Sequence, residues 1–150
     1  MIRLVKENDL DKILEIEMES FSSPWLRKDF LYELNENPYA SLYLLEKDDE
    51  IVAYADLWIV FERSELSNIA VKSNFRHQGY ASELMEFVIK ESEKKSCEYM
   101  FLDVRVSNTP AINLYRKYNF QDLRIKKGYY NDNYEDALEM VCVLNGEEYA

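Results

Sequence analysis

Between Asn68 and Ala81 a strand pattern hands over to a helix pattern through a short turn, and few architectures accommodate that hand-over. Asn68-Ile69-Ala70-Val71 has the character of a strand end. A polar connection follows, and Arg76-His77-Gln78-Gly79-Tyr80-Ala81 leads into Ala81, Leu84, Met85, Val88 and Ile89 at helical spacing. The chain has only 3 glycines, and Gly79 stands at this junction. Taken alone, a glycine in such a turn is more often a structural feature than a functional one. The set Arg-x-x-Gly-x-Ala says more. N–H groups at a helix N-terminus can surround an anion, the arginine adds charge-assisted hydrogen bonds, Gly79 admits the ligand to the backbone, and Ala81 keeps the helix mouth open. A Walker loop is excluded because no Gly-Lys-Ser/Thr follows, and a dinucleotide fingerprint would need two further glycines.

Bulk properties narrow the choice. At 150 residues with 47% hydrophobic content, the chain is expected to form one domain over 1–150 that buries its own core without disulfides or metal. A formal charge of −11 with no Lys/Arg cluster argues against a nucleic-acid surface and suits a basic peptide partner. Cys97 and Cys142 lie in apolar runs without metal-ligand spacing, which predicts buried thiols in a reducing compartment, the cytoplasm. The segment Met1 to Glu7 carries no signal-like apolar region, and no run approaches membrane-spanning length.

Ile2 to Val5 is expected as an opening strand, with Asn8 capping a helix whose buried side is Leu10, Ile13, Leu14, Ile16 and Phe21. Ser23-Pro24 is expected to start a second helix, carrying Leu26, Phe30, Leu31 and Leu34, with Trp25 at its beginning. Leu42 to Leu45 and Ile51 to Val60 flank the polar turn Lys47-Asp48-Asp49-Glu50, and Glu65 to Val71 adds a third antiparallel strand. Tyr99 to Arg105 is the expected parallel partner of Glu65 to Val71 across a helical crossover. Ser107-Asn108-Thr109-Pro110 caps a helix with Ala111, Leu114, Tyr115 and Tyr118 on its apolar face, ending at Asn119. Phe120 to Lys127 and Ala137 to Val143 close the sheet around the loop Gly128 to Tyr134.

Arg76-x-x-Gly79-x-Ala81 after a strand, followed by Asn108-x-x-Ala111-x-x-Leu114-Tyr115 and Phe120, resembles the GNAT superfamily of N-acetyltransferases, over nearly the whole chain. Within it, Asn68-Ile69-Ala70-Val71, Ser23-Pro24-Trp25, and Tyr129-Tyr130 with Glu135-Asp136-Ala137 are similar to the ribosomal-protein alanine N-acetyltransferases (RimI-like). The resemblance implies an α/β (α+β) GNAT fold: a mixed, mostly antiparallel sheet with a central splayed parallel pair flanked by helices. It implies acetyl-CoA as cosubstrate, no metal, and direct attack by the α-amine of a protein N-terminus, that of a basic ribosomal protein. The pyrophosphate would lie on Arg76, His77, Gln78, Gly79, Tyr80, Ala81 and Ser82. The backbone of Ile69, Ala70 and Val71 would meet the pantetheine, and Asn108 would hold the cofactor from the facing side. Tyr115 matches the general acid that protonates the departing thiolate, and Asp103 the base. Asp103 stands where this group usually has glutamate, one methylene longer.

Other readings of the same residues stay open. Tyr115 is equally a core residue of an apolar helix face, and Trp25 a core aromatic or a wall of the acceptor site. Tyr129 and Tyr130 are ordinary hairpin residues or flank the peptide's entry. His77, the 1 histidine, offers its backbone N–H or its ring. The acceptor could instead be a small amine such as a polyamine or aminoglycoside, and the shortened Asp103 leaves open an acyl-CoA-binding module without catalysis.

Overall fold

The structure, a computed structural model, describes residues 1–144; the end of the expected 1–150 domain lies outside the described residues. In chain order its elements are β1 (Ile2–Leu4), α1 (Leu10–Ser20), α2 (Arg27–Asn35), β2 (Ala40–Lys47), β3 (Glu50–Val60), β4 (Arg63–Val71), α3 (Tyr80–Lys94), β5 (Tyr99–Arg105), α4 (Thr109–Lys117), β6 (Gln121–Lys126) and β7 (Ala137–Val143). The hydrogen-bonded strand order is β1-β2-β3-β4-β5-β7-β6. β5 and β7, and β6 and β7, are antiparallel, whereas β4 and β5 form the expected parallel pair.

That parallel ladder is short. Its recorded pairs are Arg63 with Tyr99, Ser64 with Met100 and Glu65 with Phe101. The elements divide into two compact units, and the division falls within β4 immediately after Glu65. One unit comprises Met1–Trp58 and Leu66–Val88; the other comprises Ile59–Glu65 and the chain from Ile89 on.

In the first unit, Asp48 (φ +52°) and Asp49 (φ +64°) are both left-handed and close the β2–β3 hairpin. Two successive left-handed residues match the twist of the flanking strands. The core gathers Val5, Leu10, Ile13, Ile16, Phe30, Leu42, Leu44, Tyr54 and Ala70. Both helix starts differ from expectation. Asn8 lies inside a 3-10 turn, Glu7–Asp9, and it is the Asp9 carboxylate that accepts the Lys6 N–H at 2.8 Å. Asp9 is held there by Arg3, which donates to both its oxygens at 2.8 and 3.0 Å and thereby keeps the carboxyl below its ordinary range. α2 starts at Arg27, not at Ser23-Pro24, so Trp25 precedes the helix. Two carboxylates explain the delay: Asp29 accepts the Leu26 N–H at 2.8 Å, and the distant Glu17 accepts the Trp25 N–H at 2.9 Å.

In the second unit, alternate residues of β5 and β7 are buried on one face, Met100, Leu102 and Val104 beside Leu138, Met140 and Cys142. α4 buries Ile112 and Tyr115. Its N-terminus is capped by Asn108, whose side chain accepts the Ala111 N–H, with proline in the first turn as expected. At its other end Asn119 takes the left-handed conformation, φ +69°. Cys97 and Cys142 are both buried thiols.

Candidate functional site

In the first unit, the strand-to-helix junction is built as an open loop. After Val71 a 3-10 turn, Ser73–Phe75, carries the chain to Arg76. His77 (φ +64°) and Gly79 (φ +89°) are left-handed on either side of Gln78, and α3 begins at Tyr80. The φ of Gly79 is the physical reason for glycine there. A Cβ added to it would meet no atom within 4 Å, so the space in front of the backbone is open. The Gly79 carbonyl accepts the Glu83 N–H at 3.0 Å, the first bond of the helix. The amides of Gly79, Tyr80 and Ala81 therefore come ahead of any intrahelical acceptor, and Ser82 sits in the same first turn.

Arg76 does not extend freely. Its Nε donates to the Val71 carbonyl and its Nη2 to Ser20 Oγ, both at 3.1 Å. These bonds aim the guanidinium, which has five N–H donors in all. Gln78 donates from Nε2 to the Asn74 carbonyl at 3.3 Å. Upstream, Ala70 is buried, with Ile69 and Val71 partly exposed on either side of it. Trp25 packs its ring on Phe30, 5.2 Å between centroids, at the margin of the core.

The second unit assembles the polar cluster around Asp103. Asp103 pairs in register with Glu139 of β7. Glu65 pairs with Phe101, and alternation along β5 puts Phe101 and Asp103 on one face, so Glu65 and Asp103 share it. Lys126 donates from Nζ to Asp103 Oδ2 at 3.2 Å and lies 3.6 Å from Glu139 Oε2. Burial, the largest single effect, would lower the Lys126 ammonium; the bond to Asp103 together with the charges of Asp103 and Glu139 raises it overall. Burial, and then the charge of Asp103, raise the Glu65 carboxyl and the Tyr129 phenol. Glu65 was not singled out from the sequence, where a polar residue alternating along a strand looks like a solvated face; only the register with Phe101 puts it beside Asp103.

Because Glu65 holds its proton more tightly folded than unfolded, ionising it works against the fold. Stability from this group is present below the unfolded carboxyl pKa of about 4.3 and is lost as pH rises through the higher folded value. Glu65→Gln should therefore gain melting temperature relative to the parent chain as pH goes from 4 to 7. Thermal unfolding at both pH values checks this; a gain of equal size at each contradicts it.

Tyr115, near the end of α4, is 7% exposed. Burial pushes its phenol well up, so it stays protonated at neutral pH, as an acid must. Its ring tilts against Phe120, 5.9 Å between centroids. Tyr130, whose charge also acts on Tyr115, is itself pushed up to about 12 by burial and then by Asp103. Tyr129 and Tyr130 meet edge to face at 5.1 Å. The Lys126 ammonium lies 5.1 Å from the Tyr129 ring, and the Arg105 guanidinium 4.0 Å from that of Tyr130.

Residues 10–120 match the acetyltransferase (GNAT) family model. The chain belongs to the GNAT acetyltransferase family. This GNAT enzyme is 40% identical over 144 residues to a Bacillus subtilis (strain 168) relative named as a candidate [ribosomal protein bS18]-alanine N-acetyltransferase, covering 96% of this chain and 95% of that one. It is 33% identical over 146 residues to the [ribosomal protein bS18]-alanine N-acetyltransferase of Escherichia coli (strain K12), covering 96% and 97%. Among solved structures, the ribosomal-protein-S18-alanine N-acetyltransferase from Escherichia coli superposes with a TM-score of 0.88 at 30% identity, covering 96% of this chain and 93% of that one. The GNAT fold and the acetyltransferase class thus agree with the motif reading.

Arg105 is a second residue the motifs did not reveal. From β5 it donates twice to Asp132 at 2.9 Å, to Asn133 at 3.0 Å and to Glu135 at 3.3 Å, while Glu135 accepts the Ser107 N–H at 2.9 Å. One guanidinium thus gathers the loop that carries Tyr129 and Tyr130. Arg105→Ala should raise the KM for a peptide acceptor about ten-fold, the loss of a charge-assisted anchor, with little change in KM for acetyl-CoA. Steady-state kinetics with each substrate varied in turn checks this; equal changes in both constants contradict it.

Proposed function

We propose that this GNAT enzyme transfers the acetyl group of acetyl-CoA to the α-amine of a protein N-terminus, the alanine of a ribosomal protein, in the cytoplasm. The observation that carries the reading is the similarity, over 96% of the chain, to relatives whose names specify that alanine. The residues fit the donor. Open space before Gly79, two left-handed residues and the amides of the first turn of α3 suit a pyrophosphate, with Arg76 aimed alongside. Ile69, Ala70 and Val71 would present strand amides to the pantetheine, and Asn108, beyond capping α4, would offer its amide nitrogen. No helix among the described residues is long and apolar enough to cross a membrane.

Acetyl-CoA supplies an activated acyl group as a thioester. For transfer, the acceptor ammonium gives up a proton to Asp103, which Lys126 holds in place and Glu65 adjoins. The neutral amine forms the new C–N bond as the C–S bond breaks, Tyr115 passes its phenolic proton to the departing sulfur, and the second proton shed by the acylated nitrogen returns to the Tyr115 phenolate, leaving the amide and the CoA thiol. Tyr129, Tyr130 and Trp25 would orient the peptide, so that much of the rate comes from holding two substrates in one geometry. Asp103 is short for direct abstraction, and one intervening water would span the gap.

An α-amine with a reference pKa of about 7.7–8.0 needs little help above pH 8, since it then deprotonates unaided. Asp103→Asn should therefore lower kcat about 10-fold to 100-fold at pH 7 and progressively less toward pH 9. A loss of constant size across that range rules out the base role. The function itself is tested by acetyl-CoA turnover against short peptides beginning with Ala, Ser or Met, the same peptides with blocked N-termini, and spermidine. Turnover confined to free N-termini supports the reading. Turnover of spermidine, or CoA binding without transfer, rejects it.

A further inference from the structure

Glu17 of α1 is a buried carboxylate that the chemistry above does not use. It is 1% exposed, and its recorded partners are three uncharged donors from three different segments. Its Oε1 accepts the Tyr54 hydroxyl of β3, and Asn68 Nδ2 of β4 at 2.8 Å; its Oε2 accepts the Trp25 N–H at 2.9 Å. Burial and then the Glu17 charge push the Tyr54 phenol well up, so that Tyr54 remains a donor. A second, apolar route joins the same points, from the Trp25 ring to Phe30 and from Phe30 to Tyr54 at 5.8 Å. Burying a carboxylate this deeply is costly unless every donor stays in place. A displacement of Asn68 is therefore felt at once by the Trp25 amide, which shares its acceptor group.

Asn68 directly precedes the Ile69–Val71 strand proposed to meet the pantetheine, and Trp25 is the proposed wall of the acceptor site. We infer that Glu17 is a positioning residue that couples the two substrates: cofactor binding along β4 fixes Asn68, the shared carboxylate then fixes the Trp25 segment, and the peptide binds more tightly. The inference rests on the acetyl-transfer reading. It makes the coupling reciprocal, so that peptide tightens CoA by the same factor.

Isothermal titration of a short alanine-initiated peptide, with and without saturating CoA, tests it. In the parent chain CoA should lower the peptide Kd by about 5-fold or more, within the usual range of such couplings. In Glu17→Gln, where one carboxylate oxygen becomes an NH₂ that cannot accept, that factor should fall below about 2-fold. Tyr54→Phe, which leaves the Asn68 and Trp25 bonds to Glu17 and removes only the long 3.5 Å bond from Asn68 Nδ2 to the Tyr54 hydroxyl, should keep the coupling even as it lowers Tm. A purely structural Glu17 would shift both affinities and leave their ratio unmoved, which overturns the inference. If Glu17→Gln does not fold, hydrogen exchange of the Trp25 amide in the parent chain decides: CoA should slow it about 5-fold, and no slowing overturns the inference. Failure of the parent chain to bind either CoA or peptide rejects the acetyl-transfer reading itself, whereas binding of both with an unchanged ratio in Glu17→Gln rejects only the coupling.

Discussion

Replacing Tyr115 with phenylalanine will lower kcat by about 10²-fold to 10⁴-fold, the usual contribution of a positioned proton donor, while Tm and the KM for acetyl-CoA stay close to those of the parent chain. The substitution removes one oxygen and keeps the ring that packs on Phe120. Burial raises the phenol, which at first sight makes it a poorer acid. The same dry surroundings disfavour a free thiolate as well, so the leaving sulfur gains basicity along with the donor. If Tyr115→Phe retains kcat, the phenol belongs to the core alone and the proton reaches sulfur by another route.

Gly79→Val is the second large effect. Nothing lies within 4 Å of the added Cβ, so the free protein suffers no clash at that atom. It suffers the backbone: at φ +89° a β-branched residue is a genuine outlier, costing about 1–2 kcal/mol. For a chain of this size that lowers Tm by roughly 2–8 °C. The KM for acetyl-CoA should rise further, on the order of 100-fold, because the new side chain fills the open approach and the loop amides turn away from the phosphate. Gly79→Ala should fall between. Kinetics at saturating peptide with acetyl-CoA varied will show it. A KM for acetyl-CoA left close to that of the parent chain, with Tm lowered, would move the pyrophosphate off this loop.

The elements whose signals are local were legible in the chain. Gly79 and the spacing from Ala81 marked the start of α3, two aspartates marked the β2–β3 turn, and Asn108, Pro110 and Asn119 bounded α4. What sequence could not show depends on partners far along the chain. α2 begins later than Ser23-Pro24 because Glu17, in another helix, accepts the Trp25 N–H. Asn8 was a plausible cap until Arg3 drew Asp9 into that position. The candidate chemistry divides in the same way. Asp103 and Tyr115 were named as candidates through the family resemblance, but Glu65 beside Asp103 follows only from the register of a parallel pair three residues long. Lys126 required the β6–β7 pairing, and its strand contains a register shift between Asp122 and Arg124 that breaks any simple alternation. Arg105 looked like one more charge on a strand until its four hydrogen bonds tied down the tyrosine loop.

The proposed acceptor is an α-amine. One peptide carrying both a free N-terminal alanine and an internal lysine tests it most directly, incubated with acetyl-CoA at pH 7 and read by fragment mass spectrometry. At that pH roughly a tenth of α-amines are neutral, against fewer than about one lysine in a thousand. Acetyl should appear on the alanine nitrogen in at least about a hundred-fold excess, with the lysine left bare. Acetyl found on the lysine side chain, or shared evenly between the two nitrogens, would contradict it.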